Sequence, residues 1–553
     1  MNLSIASVNS VLDPLVARVV ALSPMWVPVI GFMLATVVPA YVAATALEWL
    51  LFRLGLLTPP MMSPRRERFW MRLLVAGIVF RTGTILIWRG PMDLLYSDAG
   101  RHWDNAKHFL DPGPQGCSNP YFYQLFLFLV IQVTRNAKLA IHLVNVALSL
   151  AYPFFWYRFA RTVMRRRLSA LRFAAVLMFL PTHVVMFSFF MNETVLLPLL
   201  GAALWTTSVA GRRRSGALFV GAALLWVIAI LTRSVVLPVS VVAMGWCIHR
   251  MRVPALAAFP VAAVLVGSAI AGAPALAEVI AKRSLSLVVA GIVAAVLVLV
   301  VYCLSRPLSR VVPLFAAWTV LISALGIASL HSFKHLKRYT PFGDNSVVVL
   351  YFASGAAGYE VDYYGGGHYI FGSPSLYISP FDPFYNWRSS RWKTVCPDAP
   401  PWPKACDNKS KKDRDAINTA ASIFKFVVDP AKKGADVKET LKEVLKENRA
   451  ILPRLIFENM LLTSFSHSWP DSGKESGPGV ICLWERWIWF PLFLASVSKS
   501  LLFMFRRRRL YLVPTLALTM ILGLYASQIT VMEGRYRKPI EPMAVLSLFW
   551  LAG

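Results

Sequence analysis

Two carboxylates, Asp98 and Asp104, stand close together in a polar stretch that directly follows an apolar segment. Because a carboxylate is costly inside a bilayer, such a pair is expected in water just beyond the membrane surface. There, one carboxylate can act as a general base toward a hydroxyl while the other orients it or binds a metal ion. A solvated surface helix with incidental charges explains the same residues without any chemistry. If the stretch is helical, His102 shares a face with Asp98.

Fixed cations stand at the edges of two other apolar segments. Arg233 follows one long apolar run, and Arg535 and Arg537 flank Tyr536 just before another. An arginine at a membrane edge favours a partner such as a phosphate or a carboxylate, although a snorkelling anchor needs none. Acids and cations on one side of a membrane would together suit a phosphate-linked substrate.

A further acid, Glu193, follows Asn192 at a tight turn between two apolar runs. A glutamate in the first turn of a helix is stabilised by the helix dipole and requires no functional role. The histidines of the chain are too scattered to predict a metal site.

The composition requires a membrane protein. Of 553 residues, 57% are hydrophobic and only 15% are charged, and the mean hydropathy is +0.56. These values exclude an ordinary soluble enzyme. The net charge of +29 is concentrated in short loops between apolar runs, such as 165–167, 212–214 and 506–509. That placement follows the positive-inside rule and argues against nucleic-acid binding.

The apolar runs predict an all-α polytopic protein with about thirteen transmembrane helices. The predicted spans are 27–52, 72–90, 139–160, 171–190, 193–210, 216–232, 234–250, 254–273, 285–304, 311–330, 481–504, 510–529 and 538–552. If every basic loop is cytoplasmic, the spans alternate in direction only if 121–133 does not cross the membrane. That segment is therefore predicted to form an interfacial or re-entrant helix. The N-terminus is then outside and the C-terminus is inside. The residues predicted to lie together on the non-cytoplasmic side are Asp98, Asp104, Glu193, Arg233 and Arg535.

Four regions are predicted along the chain. Residues 1–55 form an added N-terminal element, 56–330 a transmembrane core with its acidic loop at 90–120, and 481–553 the last spans. Residues 331–480 form a mixed extracytoplasmic domain, rich in glycine and aromatic residues at its start and helical toward its end. Cys396 and Cys406 are close enough for a disulfide in an oxidising compartment.

In these features the sequence resembles the GT-C membrane glycosyltransferases, which include protein O-mannosyltransferases, lipid A aminoarabinose transferases and GPI-type mannosyltransferases. The resemblance rests on short motifs in the expected order: Ser97-Asp98-Ala99 with Asp104, Asn119-Pro120-Tyr121, Asn192-Glu193, Thr232-Arg233-Ser234, and Arg535-Tyr536-Arg537-Lys538-Pro539 with Pro542. It covers the layout of the membrane core but not the region 331–480. Because Asp98 and Asp104 are farther apart than a compact Asp-x-Asp pair, a divalent cation on them is left open.

The resemblance implies a polyprenyl-phosphate sugar donor and an acceptor hydroxyl that meet outside a bacterial inner membrane, facing the periplasm. It implies that Asp98 is the base and that inversion occurs at the anomeric carbon. The implied substrate-binding residues are Asp104, Glu193 and His102 near the sugar, and Arg233, Arg535, Tyr536 and Arg537 near the leaving phosphate.

Two other classes of protein fit the composition. A transporter or flippase of a lipid-linked sugar would have a similar number of spans, but it is expected to carry charged residues near the bilayer midplane and internal repeats. The predicted spans are almost free of midplane carboxylates. A non-catalytic scaffold would have no reason to bring the Asp98 and Arg535 regions together.

Overall fold

The computed structural model describes residues 65–88, 90–95, 97–111, 120–164, 166–282, 311–336, 339–342, 478–507, 511–526 and 537–552. Within these ranges the regular structure is helical and contains no strand. Five of these helices are long and apolar enough to cross a membrane. The prediction of an all-α membrane protein is therefore confirmed. The predicted spans 27–52 and 285–304, nearly all of 331–480, and the cysteine pair lie outside the described residues.

Fourteen α-helices are numbered here in chain order over the described residues. They are α1 Arg65–Gly83, α2 Ser97–Lys107, α3 Tyr121–Thr134, α4 Lys138–Val163, α5 Arg167–Phe179, α6 Pro181–Met186, α7 Asn192–Arg213, α8 Gly216–Thr232, α9 Leu237–Arg250, α10 Ala255–Lys282, α11 Val311–Leu336, α12 Pro478–Arg507, α13 Leu512–Ala526 and α14 Glu541–Ala552. A π-helical turn, Thr84–Trp88, extends α1, and short 3₁₀ turns occupy Pro91–Asp93 and Ser234–Val236.

The helices follow the apolar runs of the sequence. The five long apolar helices, which include α4, α7, α10 and α11, coincide with the predicted spans 72–90, 139–160, 193–210, 254–273 and 311–330. The segment predicted to be interfacial forms α3, whose 14 residues are fewer than a spanning helix needs. Helices α3 and α7 end on residues in the left-handed conformation, Arg135 and Arg214.

The predicted span 171–190 is not one continuous helix. Helix α5 ends at Phe179, and α6 begins at Pro181, because proline lacks an amide donor and disfavours a helical conformation in the residue before it. After α6 the chain runs without helix from Phe187 to Met191, and all five of those side chains are buried. The Asn145 amide donates to the Phe187 carbonyl at 2.8 Å. Irregular backbone is tolerated inside a membrane bundle when protein groups bond to it in this way.

Helix α7 packs against α4, α8 and α9, and α9 packs against α10 and α13. We call the end of the bundle where α7 begins, at Glu193, the upper end. The end where α7 finishes, at Arg212, is the lower end. Helices α12, α13 and α14 pack against one another, and α14 also contacts α4 and α5. The last helices of the chain therefore join the same core as the first ones.

The contact between α4 and α7 requires a glycine. A Cβ atom at Gly201 would lie 2.7 Å from Trp156 Cδ1 and 3.1 Å from the Trp156 backbone nitrogen. At Gly221 on α8 a Cβ atom would meet nothing within 4 Å. We expect Gly201→Ala to lower stability by about 1–3 kcal/mol through overpacking. Gly221→Ala should leave stability unchanged or raise it by up to about 1 kcal/mol.

The measurement for this pair is the midpoint of thermal unfolding in detergent, with both variants purified identically. Because the two substitutions are chemically the same, their difference isolates the helix contact. Equal midpoints for Gly201→Ala and the native chain would show that α4 and α7 can move apart without any loss of stability.

Candidate functional site

The predicted acidic loop is helical, and it forms α2. Ala99, His102 and Trp103 form part of its buried face. The Trp103 ring stacks on Phe190, with ring centroids 4.8 Å apart and planes 18° from parallel. A ring nitrogen of His102 lies 2.9 Å from Gln124 Nε2 on α3. Helix α2 is therefore held on the bundle by aromatic packing and one buried hydrogen bond.

The structure describes the two aspartates of α2 to different extents. The backbone of Asp98 belongs to α2 and precedes the fully buried Ala99, while its side chain lies outside the described part of the structure. Asp104 is on the outer face, with its side chain 70% exposed and 3.1 Å from Lys107 Nζ. An exposed ion pair of this kind contributes little to stability. The predicted contact of Asp104 with the sugar stays a prediction.

Two predicted binding residues contact each other directly. Arg233, at the end of α8, donates through Nη1 to Glu193 Oε1, at the start of α7. The Glu193 side chain is only 1% exposed and that of Arg233 is 12% exposed. The sequence did not indicate this pairing, since either residue alone suits a ligand. The ion pair fixes the upper ends of α7 and α8 to each other.

Several buried side-chain atoms near α2 have no hydrogen-bond partner within the described residues. Among those that can accept from a ligand are Gln124 Oε1, Ser188 Oγ and Glu193 Oε2. Gln124 is on α3, which contacts α2, and Ser188 belongs to the irregular segment that carries Phe190. Burying an acceptor without a partner is costly. A ligand that brings hydroxyl donors would satisfy such atoms.

A second cluster lies deeper in the bundle, and we call Tyr152, His183, Arg537, Lys538 and Glu541 the buried charged cluster. All five residues are fully buried. Glu541 Oε1 accepts from Arg537 Nε at 2.8 Å. Glu541 Oε2 lies 3.0 Å from Lys538 Nζ and 2.6 Å from His183 Nε2. The other ring nitrogen of His183 is 2.6 Å from the Tyr152 hydroxyl.

The cluster lies inside the bundle rather than at its rim. At the other end of α14, Trp550 donates to the Val163 carbonyl, where α4 finishes at the lower end. Glu541 is about 14 Å from Trp550 along the helix axis, at 1.5 Å per residue. Glu541 is thus an exception to the expectation that the spans are almost free of interior carboxylates. Of the cluster, only Arg537 was predicted as a binding residue.

Arg81 is a further buried cation that was not predicted. Its guanidinium donates to the carbonyls of Met178 at 2.9 Å and Leu177 at 2.7 Å, and to the Ser149 hydroxyl at 2.9 Å. These carbonyls belong to the last turn of α5, which has lost its continuation at Pro181. Arg81 therefore stabilises the break between α5 and α6. In the sequence, a lone arginine within an apolar run already indicates a buried cation of this kind.

The acidic helix α2 and the terminal basic motif both contact one segment of the chain, Thr182–Phe190. Lys538 Nζ donates to the Thr182 hydroxyl, and Glu541 contacts His183 at the start of this segment. Trp103 of α2 stacks on Phe190 at its end. The structure thus brings the neighbourhoods of Asp98 and Arg537 to opposite ends of one short segment.

Several predicted features stay untested. Arg535 and Tyr536 lie outside the described residues. No group of three metal-ligating side chains occurs within the part of the chain that the structure describes. Comparisons with protein-family models, with curated proteins and with solved structures found no match to this chain.

Proposed function

We propose that this protein is a membrane glycosyltransferase of the GT-C type, with about thirteen spans. It transfers a sugar from a polyprenyl-phosphate donor to an acceptor hydroxyl, with the sugar and acceptor near α2 at the upper end of the bundle and the donor phosphate toward the buried charged cluster. The observation that carries the proposal is the shared segment Thr182–Phe190, on which both the acidic helix α2 and the basic motif of Arg537 and Lys538 pack. By the positive-inside rule the upper end faces outward, which in a bacterium is the periplasm.

The reaction needs a base on one side of the anomeric carbon and a stabilised leaving group on the other. In our proposal Asp98 takes the proton of the acceptor hydroxyl while that oxygen attacks the anomeric carbon. The bond between this carbon and the phosphate oxygen breaks, and the electron pair leaves on the polyprenyl phosphate. The product sugar has inverted configuration.

The basic motif suits the leaving phosphate. Glu541 binds Arg537 through Nε and Lys538 through Nζ, so both cations are fixed before any substrate arrives. Preorganised cations stabilise developing charge without reorganisation at the moment of reaction. Arg535 and Tyr536, in the same motif, are proposed to contact the same phosphate.

The buried acceptors near α2 suit the sugar. Gln124 Oε1, Ser188 Oγ and Glu193 Oε2 can each accept a hydrogen bond from a sugar hydroxyl. Because Arg233 already binds the other oxygen of Glu193, we assign Arg233 to positioning that carboxylate. His102 is likewise assigned to positioning α2, through its bond to Gln124.

One observation favours a second candidate, a transporter or flippase of a lipid-linked sugar. The buried charged cluster places four ionisable side chains and a tyrosine inside the bundle, all fully buried. Ionisable residues at membrane depth commonly mark transport pathways and proton relays. The same cluster would then bind the lipid phosphate during its passage rather than during bond cleavage.

The two candidates are separated by one assay. The native chain is placed in liposomes with a panel of radiolabelled polyprenyl-phosphate sugars and a membrane extract as the source of acceptors. A transferase releases free polyprenyl phosphate and labels an acceptor, whereas a flippase moves intact donor between leaflets. Empty liposomes are the control. If no donor is consumed but intact donor changes leaflet, the transferase proposal fails and the flippase takes its place.

A further inference from the structure

A cavity opens at the lower end of the bundle, far from the proposed reaction site. Its volume is ≈ 550 Å³, and residues of α4, α7, α9, α13 and α14 line it. Along α7, Arg212 in this cavity lies about 28 Å from Glu193, at 1.5 Å per residue. The cavity therefore lies apart from the acceptors near α2, and no residue of the buried charged cluster lines it.

One wall of the cavity is cationic. Arg212 from α7 and His249 and Arg250 from α9 line it, and no carboxylate is among the described residues that do so. All three basic side chains are exposed. The Arg250 guanidinium lies 5.9 Å from the centre of the Trp246 ring, and a ring nitrogen of His249 lies 2.9 Å from the Val253 carbonyl. These contacts hold exposed basic groups against the cavity, where they favour an anion.

The cavity also has an aromatic wall. Tyr511 and Trp550 line it, with ring centroids 5.7 Å apart. The Trp550 indole nitrogen donates to the Val163 carbonyl, and Phe503 packs edge-on against both rings. The two walls together present positive charge beside a fixed apolar surface. This combination suits a ligand with a phosphate at one end and hydrocarbon close to it.

The level of the cavity relative to the bilayer indicates that such a ligand comes from the membrane. Three consecutive arginines, 212–214, follow the membrane-crossing part of α7, so the cavity mouth lies where the bilayer meets water. Basic pockets between transmembrane helices at this level bind anionic lipid headgroups. A volume of ≈ 550 Å³ also far exceeds what a single inorganic phosphate needs.

We propose that this cavity is a binding site for the headgroup of an anionic phospholipid. Arg212 and Arg250 bind the phosphate, and the Tyr511 and Trp550 rings cover the apolar part beside it. The proposal does not depend on whether the protein transfers or transports a sugar.

The test uses the full chain purified in a neutral detergent. Phosphatidylglycerol, phosphatidylcholine or inorganic phosphate is added, and bound lipid is counted by native mass spectrometry alongside the thermal unfolding midpoint. We expect phosphatidylglycerol to bind and raise the midpoint, and Arg212→Gln with Arg250→Gln to weaken this binding at least tenfold. The matched control is Arg213→Gln with Arg214→Gln, which removes two exposed charges from the same helix end but outside the cavity.

Each other outcome has a defined meaning. If the control pair weakens phosphatidylglycerol binding equally, the lipid is attracted by the overall positive charge of the protein, and the proposed site is wrong. Equal binding of phosphatidylcholine would also overturn it. If inorganic phosphate alone reproduces the whole effect, the lipid assignment is wrong. Should the double variant fail to fold, Arg212→Gln alone gives the same comparison against Arg213→Gln.

Discussion

Replacing Asp98 with asparagine is expected to lower the rate of sugar transfer by about 100- to 10,000-fold, the usual contribution of a general base. Asparagine keeps the shape of the side chain but cannot accept the proton of the acceptor hydroxyl. The measurement is release of polyprenyl phosphate in liposomes at saturating donor. If Asp98 acts only as a base, the rate falls while the KM for the donor stays the same.

Asp104→Asn is the matched control for this prediction. It makes the same chemical change on the same helix, at a side chain that is exposed and paired with Lys107. If Asp104 contacts the sugar as predicted, this variant should raise the KM for the donor but leave the rate at saturating donor close to native. Both variants need thermal midpoints equal to that of the native chain, because α2 is held by Trp103 and His102 and must stay in place. Loss of transfer in Asp104→Asn alone would make Asp104 the base, and full activity in both would exclude either role.

The sequence predicted the elements better than their contacts. Long apolar runs predict spanning helices because a bilayer sets their length, and the five helices that are long and apolar enough to cross a membrane coincide with predicted spans. The sequence left open whether α2 is helical, although its buried residues Ala99, His102, Trp103 and Ala106 do follow helical spacing. The break at Leu180 could have been read from Pro181, but the apolar composition of 171–190 concealed it.

The partners of the charged residues could not be predicted. His183 and Glu541 are 358 residues apart in the chain, and no local pattern couples positions so distant. Glu541 stands in the first turn of α14, where the helix dipole already favours an acid, so its position alone does not indicate a cluster. For Arg233 the sequence predicted a phosphate or a carboxylate as partner, and the structure pairs it with the carboxylate of Glu193. A cation at a membrane edge predicts that an anion is near, but not whether the anion belongs to the protein or to a ligand.

Replacing Glu541 with glutamine is expected to destabilise the protein by about 3–5 kcal/mol, the usual cost of removing one partner of a buried ion pair. Glutamine keeps the volume but leaves Arg537 and Lys538 without the carboxylate that they share with His183. The measurement is the unfolding midpoint and the monodisperse yield in detergent. Asp104→Asn serves as the exposed-pair control.

A double variant separates the charge from the packing. Combining Lys538→Met with Glu541→Gln removes one of the two cations that the carboxylate balances, so the double variant should lose less stability than the sum of the single variants. Strict additivity, or a Glu541→Gln chain as stable as the native protein, would show that this carboxylate does not hold the cluster together. If that stable variant also lost sugar transfer, the cluster would act on the substrate phosphate directly rather than as a support for the fold.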